Sequence, residues 1–375
     1  MNPTFASFHR VHFHYCDGSS YLGDRSEPLV VEGQPPLYFR GRRVLEALVA
    51  LTLELGLRNA NEVLFSGGSA GGIGALHAAG WIRPLVPGAR RFKVLIASGF
   101  FLERGTNTAE GGRLQLQPSR STAAAVTGVH VVQSSPDFPG AHMPSTGDIP
   151  DCHKKGRPTS STCIPWIHKM RRMCELHNCS AALAASGCAS LVAPDATFRC
   201  LFGAHGARVV NAPTFYINSA LDSWQLVNVW RRFARCRWDG AAGCGAAEID
   251  ADVGASNQML RSFVGDLRTS GAISRLGNGA FITSCNEHVA SLTRQAFAGY
   301  EVGGVAMRDA LDRWWRAPDN ESPVRHTHLP CELTGNTSLS ARGGRTHLAH
   351  HACNPTCDTY RAKRRISQEC PCHPR

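Results

Sequence analysis

No stretch of this sequence approaches the ~20 consecutive apolar residues that a membrane helix needs, so a chain that crosses a bilayer by helices is excluded. The first ten residues, Met1-Asn-Pro-Thr-Phe-Ala-Ser-Phe-His-Arg10, lack the apolar core of a signal peptide. Acidic residues are scarce: 29 Asp and Glu stand against 40 Lys and Arg, which leaves a net charge of +11. Such an excess attracts polyanions. No recognition motif for nucleic acid accompanies it, so nucleic acid is not expected as a partner; an acidic polysaccharide would serve equally, and a basic surface kept for solubility is the plain alternative. Charged residues of both signs make up only 18% of the chain against 43% hydrophobic ones, the balance of a protein that buries a core rather than of a disordered one.

Cysteine, by contrast, is plentiful. Fifteen occur, clustered in the second half, and Asn178-Cys-Ser180, Asn320-Glu-Ser322 and Asn336-Thr-Ser338 are glycosylation sequons. The cysteines carry the expectation of a disulfide-bonded glycoprotein of the secretory route, extracellular or wall-associated, whose targeting segment is missing from this chain. The odd count leaves at least one thiol without an intramolecular partner. His347, His350, His351, Cys353, Cys357, Cys370 and Cys372 near the end invite a zinc reading. Their spacings fit no common finger, and in an oxidising compartment disulfides compete, so no metal is expected. Arg361 to Arg365 reads as a solvated basic tail.

The chain is organised around Asn61-Glu-Val-Leu-Phe-Ser-Gly-Gly-Ser69-Ala-Gly-Gly-Ile-Gly-Ala-Leu-His77. Val63, Leu64 and Phe65 are strand formers; Ile73, Leu76 and Trp81 recur at helical spacing. Strand, glycine turn and helix give Gly67-Gly-Ser69-Ala-Gly71 the context of a nucleophile elbow. Ser69 must adopt a strained conformation to lift its hydroxyl clear of the sheet, and side chains at 67 or 71 are expected to collide with the neighbouring strand and helix. No Lys follows the glycines, which argues against a phosphate-binding loop. The helix aims its N-terminal N–H groups at charge developing beside Ser69.

Elsewhere, His12-Phe-His14 lies in an alternating run, Val11 to Tyr15, read as a strand with both histidines on one face. Tyr15-Cys-Asp-Gly-Ser-Ser-Tyr-Leu-Gly-Asp24 is a polar loop at that strand's end, where α/β proteins place substrate contacts. Helix spacing covers Phe39 to Leu57, ending at Gly56, and Arg91 to Ser98 is a buried strand. From Glu103 to Val210 Pro, Gly, Ser and Cys dominate, with clear periodicity only around Ile167 to Leu176. This reads as an inserted lid or substrate wall, Thr106 to Pro150 being its least patterned part. Pro213 to Asn218 is a strand that delivers Asp222 to the head of a helix through Val229, Trp230 and Phe233. Helix spacing follows from Met259 to Leu267, a strand from Ala280 to Cys285 leads to His288, and a last helix covers Met307 to Trp315. The expected organisation is thus an α/β-hydrolase-like, mostly parallel sheet flanked by helices. Residues 1–103 and 211–330 form its core, 104–210 the insertion and 331–375 a Cys/His-rich basic tail.

Ser69, Asp222 and His288 therefore sit just past three predicted strand ends, in the chain order that α/β-hydrolases use. A serine hydroxyl is a poor nucleophile until a histidine takes its proton, and the histidine needs a carboxylate to fix its tautomer and stabilise the imidazolium. Asp222 also suits a plain helix N-cap, and His288 is one of seventeen histidines. The ordered set of three is what points to an enzyme.

At these residues the chain resembles the plant-type pectin acetylesterases. Asn2-Pro-Thr-Phe followed by the Tyr15 to Asp24 loop is similar to a loop of that family, and Ser66-Gly-Gly-Ser-Ala-Gly-Gly72 to its nucleophile motif, with Gly68 where Cys is usual. Asp222-Ser-Trp-Gln225 resembles its acid motif. Ser284-Cys-Asn-Glu-His288 resembles its histidine motif, with Val289 in place of the usual Cys. Cys188 to Phe202, Cys236 to Cys244 and the tail Cys353-Asn-Pro-Thr-Cys357 fall in place, so the resemblance spans about residues 2 to 357 apart from the insertion. It implies a cofactor-independent serine esterase with Ser69 as nucleophile, Asp222 as orienting acid and His288 as general base. Ala70 and Gly68 would lie at the oxyanion hole, and Asp17, Gly18 and Trp224 would contact substrate. The same superfamily holds the Notum-type carboxylesterases, which remove a fatty acyl group from a secreted signalling protein; the Asp17-Gly-Ser-Ser loop is closer to the pectin branch.

The family carries a Gly-Gly-Gly-Trp-Cys segment upstream of the Tyr-Cys-Asp-Gly loop, and this chain begins after it. By resemblance, those glycines supply oxyanion-hole N–H groups and that Cys partners Cys16, so an N-terminally incomplete chain is expected. The N–H of Ala70 is the remaining identifiable donor, and the loss of one donor costs roughly 10²–10³ in turnover; activity of the chain as it stands is expected to depend on this. The expected substrate is an acetylated acidic polysaccharide. The alternatives are deacylation of a lipidated protein and an inactive polysaccharide-binding remnant of the fold. Sugar, acyl length, oligomeric state and disulfide connectivity are not legible.

Overall fold

The computed structural model describes residues 3–104, 166–230, 246–292 and 294–330, with short pieces at 341–342, 345–346, 354 and 356–357. Thr106 to Pro150, Cys236 to Cys244, Asn336, the tail histidines, Cys353, Cys370, Cys372 and the Arg361 to Arg365 run lie outside the described residues.

Five parallel strands form the sheet in the order in which they occur along the chain: β1 (Glu62–Gly68), β2 (Arg91–Ala97), β3 (Thr214–Ser219), β4 (Gly279–Thr283) and β7 (Thr327–His328). A two-stranded hairpin, β5 (Glu301–Val302) with β6 (Val305–Ala306), stands apart. Helix α1 (Gly41–Glu54) precedes β1, and between the strands run α2 (Ala70–Ile82), α3 (Trp166–His177), α4 (Ser180–Ala185), α5 (Gly203–Gly206), α6 (Ser223–Asn228), α7 (Ala246–Thr269), α8 (Arg294–Gly299) and α9 (Met307–Arg316). Parallel pairing requires crossovers, and both sheet faces are consequently covered.

The two-residue period of the strands sorts the core. Val94 and Ile96 of β2, Tyr216 of β3 and Ala280 and Ile282 of β4 pack with Leu45, Val49 and Leu53 of α1, Ala79 and Ile82 of α2, and Phe263 and Leu267 of α7. The alternate residues Phe215, Ile217 and Phe281 face the other way, onto Met307, Leu311 and Trp314 of α9. The arrangement is an α/β/α sandwich. On the α9 side, the fully buried Lys93 of β2 donates through Nζ to the carbonyls of Trp314 (3.0 Å) and Ala317 (2.7 Å), with Asp319 at 3.4 Å. A cation buried at the carbonyl end of a helix is satisfied by those orphan acceptors and by the negative end of the dipole.

The register Gly68–Ala97–Ile217–Phe281 runs straight across β1 to β4. The loops after these four strands therefore emerge side by side at one edge, the place where open α/β sheets bind ligands. The described part of the insertion builds its own small core on that edge. Ile167, Met170, Leu183, Phe198 and Phe202 pack against Ile73 of α2 and Phe101, stapled by the disulfides Cys174–Cys179 and Cys188–Cys200. A third disulfide, Cys285–Cys357, ties the tail back to the loop after β4. Cys357 is thereby withdrawn from the histidine-rich tail as a metal ligand.

Several expectations are corrected. Val11 to Tyr15 is not a strand: among the described residues none pairs with it, and both Val11 and Tyr15 are exposed. Hydrophobic alternation alone does not make a strand without a ladder partner. The helix after Asp222 ends at Asn228 rather than passing through Val229 and Trp230, and α7 is far longer than Met259 to Leu267. The insertion holds α4, α5 and 3₁₀ turns beyond the one helix its periodicity displays.

Candidate active site

β1 ends at Ser69, whose backbone sits at φ 52°, ψ −124°, a conformation that non-glycine residues rarely adopt. Its N–H donates to the carbonyl of Ala97 (2.8 Å), and its own carbonyl accepts from Gly72 (2.9 Å), so the strain is held by sheet and helix together. Glycine is required where the turn doubles back. A Cβ on Gly67 would overlap the backbone of Gly71, and one on Gly72 would lie 2.7 Å from Gly99 Cα. The clash expected at Gly71 is not there: a Cβ at 71 would meet nothing within 4 Å. The crowding falls one residue further on because Gly72, not Gly71, is the helix residue that faces β2.

The structure brings Ser69, Asp222 and His288 together. His288 Nε2 lies 2.8 Å from Ser69 Oγ, and Nδ1 lies 2.7 Å from Asp222 Oδ2. A carboxylate only accepts, so Nδ1 carries the proton and Nε2 is left as the acceptor for the Ser69 O–H. Asp222 is fully buried at the head of α6, where its second oxygen, Oδ1, accepts from the N–H groups of Trp224 (3.0 Å) and Gln225 (2.9 Å). Burial pushes its carboxyl upward, and the hydrogen bond from His288 and the two N–H groups oppose that. One oxygen of Asp222 thus caps the helix while the other faces His288, so the N-cap reading and the triad reading do not exclude one another.

The other expected site residues are placed as follows. Ala70 is the first residue of α2, so its N–H has no intrahelical acceptor and stands beside Ser69 at the positive end of the helix. Gly68 is exposed at the end of β1, facing Val289, the residue after His288. Asp17 is turned inward. It accepts from the Tyr21 N–H (3.1 Å) and the Ser19 hydroxyl, and its carboxylate packs onto Gly41 at the N-terminus of α1. Gly18, at φ 77°, forms the exposed tip of that loop, with the buried His177 beneath it. Cys16 beside it is an exposed free thiol.

Trp224 is half-buried, 6.1 Å from the His288 ring between centroids, and belongs to a wall that the sequence reading missed. Phe101 and Trp166 complete it, with centroid separations of 5.4 Å (Phe101–Trp224), 5.1 Å (Trp166–Trp224) and 6.4 Å (Phe101–His288). Gln225 fastens this wall from behind: its amide accepts from the Leu102 N–H (2.9 Å) and donates to the Phe100 carbonyl (3.1 Å). Glu103, two residues after Phe101, is itself held by Arg199 (2.7 Å) and His205 (3.0 Å). The signal for Phe101 was available, since Phe100-Phe101 follows directly on a strand end. Trp166 had none, being carried to the site by the insertion.

A family model described as Pectinacetylesterase matches residues 1–116 and 158–337. The chain belongs to that family. Pectin acetylesterase 11 of Arabidopsis thaliana is 25% identical over 344 residues, covering 89% of this chain and 71% of its own length. Pectin acetylesterase 7 of the same plant is 25% identical over 328 residues, covering 84% and 66%. The chain thus spans about two thirds of the length of these relatives. Among solved structures, that of the Wnt deacylase Notum from Drosophila superposes with a TM-score of 0.54 at 16% identity, over 85% of this chain and 69% of that one. Pectinacetylesterase-family membership and the α/β-hydrolase-like fold thus rest on separate comparisons, one of sequence and one of structure.

Proposed function

We propose that this chain is a serine carboxylesterase that removes acetyl esters from pectin or a similar acidic polysaccharide. The observation that carries the reading is the imidazole of His288 bridging Ser69 Oγ and Asp222 Oδ2 at 2.8 and 2.7 Å. Ser69 Oγ attacks the acetyl carbonyl while His288 Nε2 takes its proton, and the developing oxyanion is met by the Ala70 N–H and the dipole of α2. The carbon–oxygen bond to the sugar breaks, and the sugar hydroxyl leaves with the proton from Nε2. Water then gives a proton to the same nitrogen and attacks the acyl-serine; the bond from the acyl carbon to Ser69 Oγ breaks, Nε2 returns the proton to Oγ, and acetate leaves. Asp222 holds the tautomer and faces the imidazolium.

In this reading 1–103 and 211–330 form the catalytic core, and the 104–210 insertion supplies a wall through Trp166. Gly18 and Trp224 contact the substrate, and Gly68 leaves room for it. Asp17 shapes its loop from within. Three disulfides among the described residues and the net charge of +11 support action on a polyanion in an oxidising, extracellular or wall setting.

The aromatic wall of Phe101, Trp166 and Trp224 favours a second reading, hydrolysis of a longer acyl ester such as a lipidated protein carries. Hydrolysis of chromogenic acetate and octanoate esters by the wild type and Ser69→Ala decides between them. Acetate preference that is lost in Ser69→Ala, with acetate released from acetylated pectin more slowly as salt is raised, supports the first. Octanoate preference supports the second. No Ser69-dependent turnover, with pectin binding intact, would mean an inactive remnant.

A further inference from the structure

Ser98 is the residue after β2, as Ser69 is the residue after β1, and it adopts the same left-handed backbone, at φ 51°. The likeness has a cause. Ser69 donates its N–H to Ala97 on the next strand, and Ser98 donates its own to Ile217 on the strand after that (2.7 Å), so both strand ends turn away from the sheet together. The turned side chain of Ser98 is buried, and its Oγ accepts from the N–H of Val289 at 2.8 Å. Val289 follows His288 directly, is itself at φ 54°, and lies with its Cγ1 against Gly68 in the elbow. Three non-glycine residues in the left-handed region, Ser69, Ser98 and Val289, are thus linked around the imidazole. Strain of this kind persists only where surrounding bonds over-determine it.

Upstream of His288 the loop is tied to β3, because the Ser219 hydroxyl donates to the Cys285 carbonyl, and to the tail by the Cys285–Cys357 disulfide. The bond to Ser98 ties it downstream.

We propose that Ser98 is a positioning residue for the esterase reaction, holding the His288 loop from its far side so that Nε2 stays within reach of Ser69 Oγ. The proposal rests on the triad reading given above. Its chemistry is that of a single acceptor. Without Oγ the Val289 N–H has lost its partner, and Val289, already in a disfavoured conformation, is free to relax and carry the imidazole with it.

Two substitutions separate this role from a plain structural one. Ser98→Gly removes the acceptor but accepts a positive φ without strain, so the relief of backbone strain offsets only part of what the unpaired Val289 N–H and the glycine's chain entropy cost. Ser98→Thr keeps the acceptor but strains a β-branched residue, so it too is less stable than the wild type. On a chromogenic acetate, kcat is expected to fall on the order of tenfold in Ser98→Gly with KM within about twofold, a partial version of the ~10²-fold cost of a 1 Å misplacement. Ser98→Thr is expected to keep most of the wild-type kcat at a lower melting temperature. Both variants then lose stability, and only Ser98→Gly loses kcat with it.

A second readout does not depend on turnover. The low-field proton resonance of the His288 Nδ1–H against Asp222 is expected in the wild type and in Ser98→Thr, and broadened by exchange in Ser98→Gly. Wild-type kcat together with a sharp resonance in Ser98→Gly, or losses of activity that simply follow the melting temperatures, would overturn the proposal. If the wild type hydrolyses no ester, the proposed function fails, and the resonance alone still decides whether Ser98 holds the loop.

Discussion

Asp222 carries two duties on two oxygens, and the duties can be separated. Asn is as good an N-cap as Asp, because a side-chain carbonyl accepts from the N–H groups of Trp224 and Gln225 as Asp222 Oδ1 does. It lacks the charge that faces His288 and offers the imidazole no reliable acceptor for Nδ1–H. Asp222→Asn is therefore expected to melt close to the wild type while kcat falls by roughly 10⁴. Asp222→Ala should lose comparable activity and a further ~1 kcal/mol of stability with the cap. Thermal melts beside initial rates on a chromogenic acetate check both, and a large stability loss in Asp222→Asn would contradict the division of labour. The three triad residues were legible from sequence because each follows a short apolar run and their order is diagnostic. Gln225, Ser98 and Trp166 were not, because each acts through a neighbour that only the fold supplies: Gln225 through Phe100 and Leu102, Ser98 through Val289, Trp166 through the ring of Trp224.

The elbow and its helix form the element most exposed to single changes. Gly67→Ala drives a Cβ into the backbone of Gly71 and is expected to prevent the turn from closing, leaving little folded protein. Gly71→Ala meets open space at a helical position, so it should leave stability unchanged or raise it by up to ~1 kcal/mol. Urea denaturation of both variants tests this contrast, which the sequence reading did not draw, since it expected a collision at 71 as well as at 67. Lower on the same helix, the fully buried His77 is held by Ser186 Oγ (2.9 Å) and the Cys200 carbonyl (3.0 Å). Burial lowers its pKa from 6.5 to about 4. As pH falls, the unfolded chain therefore takes up a proton that the folded helix refuses. This contribution to stability is complete above pH 6.5 and drains away toward pH 4, amounting to about 3 kcal/mol. The urea midpoint should fall over that interval, and fall less in His77→Gln, which keeps polar groups but does not titrate there. Helix α2 was readable because its apolar spacing begins directly after the glycines. Its tie through His77 was not, since the partners lie 109 and 123 residues away.

At the scale of the molecule, the sheet was legible wherever a strand is buried on both faces, as β3 and β4 are, since each carries a continuous apolar stretch, Phe215-Tyr-Ile217 and Ala280-Phe-Ile282. The cross-links were not, because fifteen cysteines allow far too many pairings for spacing to choose among them. The pairing that bears on function joins Cys285 to Cys357, 72 residues apart, and it enters the loop three positions before His288. Cys188–Cys200 closes only 12 residues, within the insertion. Loop-closure entropy assigns about 4 kcal/mol to the first and about 3 kcal/mol to the second, so the first is the stronger stabiliser by about 1.5 kcal/mol. They should differ in what they do to catalysis. The double variant Cys285→Ser/Cys357→Ser releases one tether of the His288 loop, whereas Cys188→Ser/Cys200→Ser leaves the triad's own anchors in place. With both variants assayed at a temperature where they remain folded, kcat should drop several-fold more in the first, a larger gap than its somewhat lower urea midpoint accounts for. Equal losses of kcat would mean that the tail bond stabilises the fold as a whole without governing where the imidazole stands.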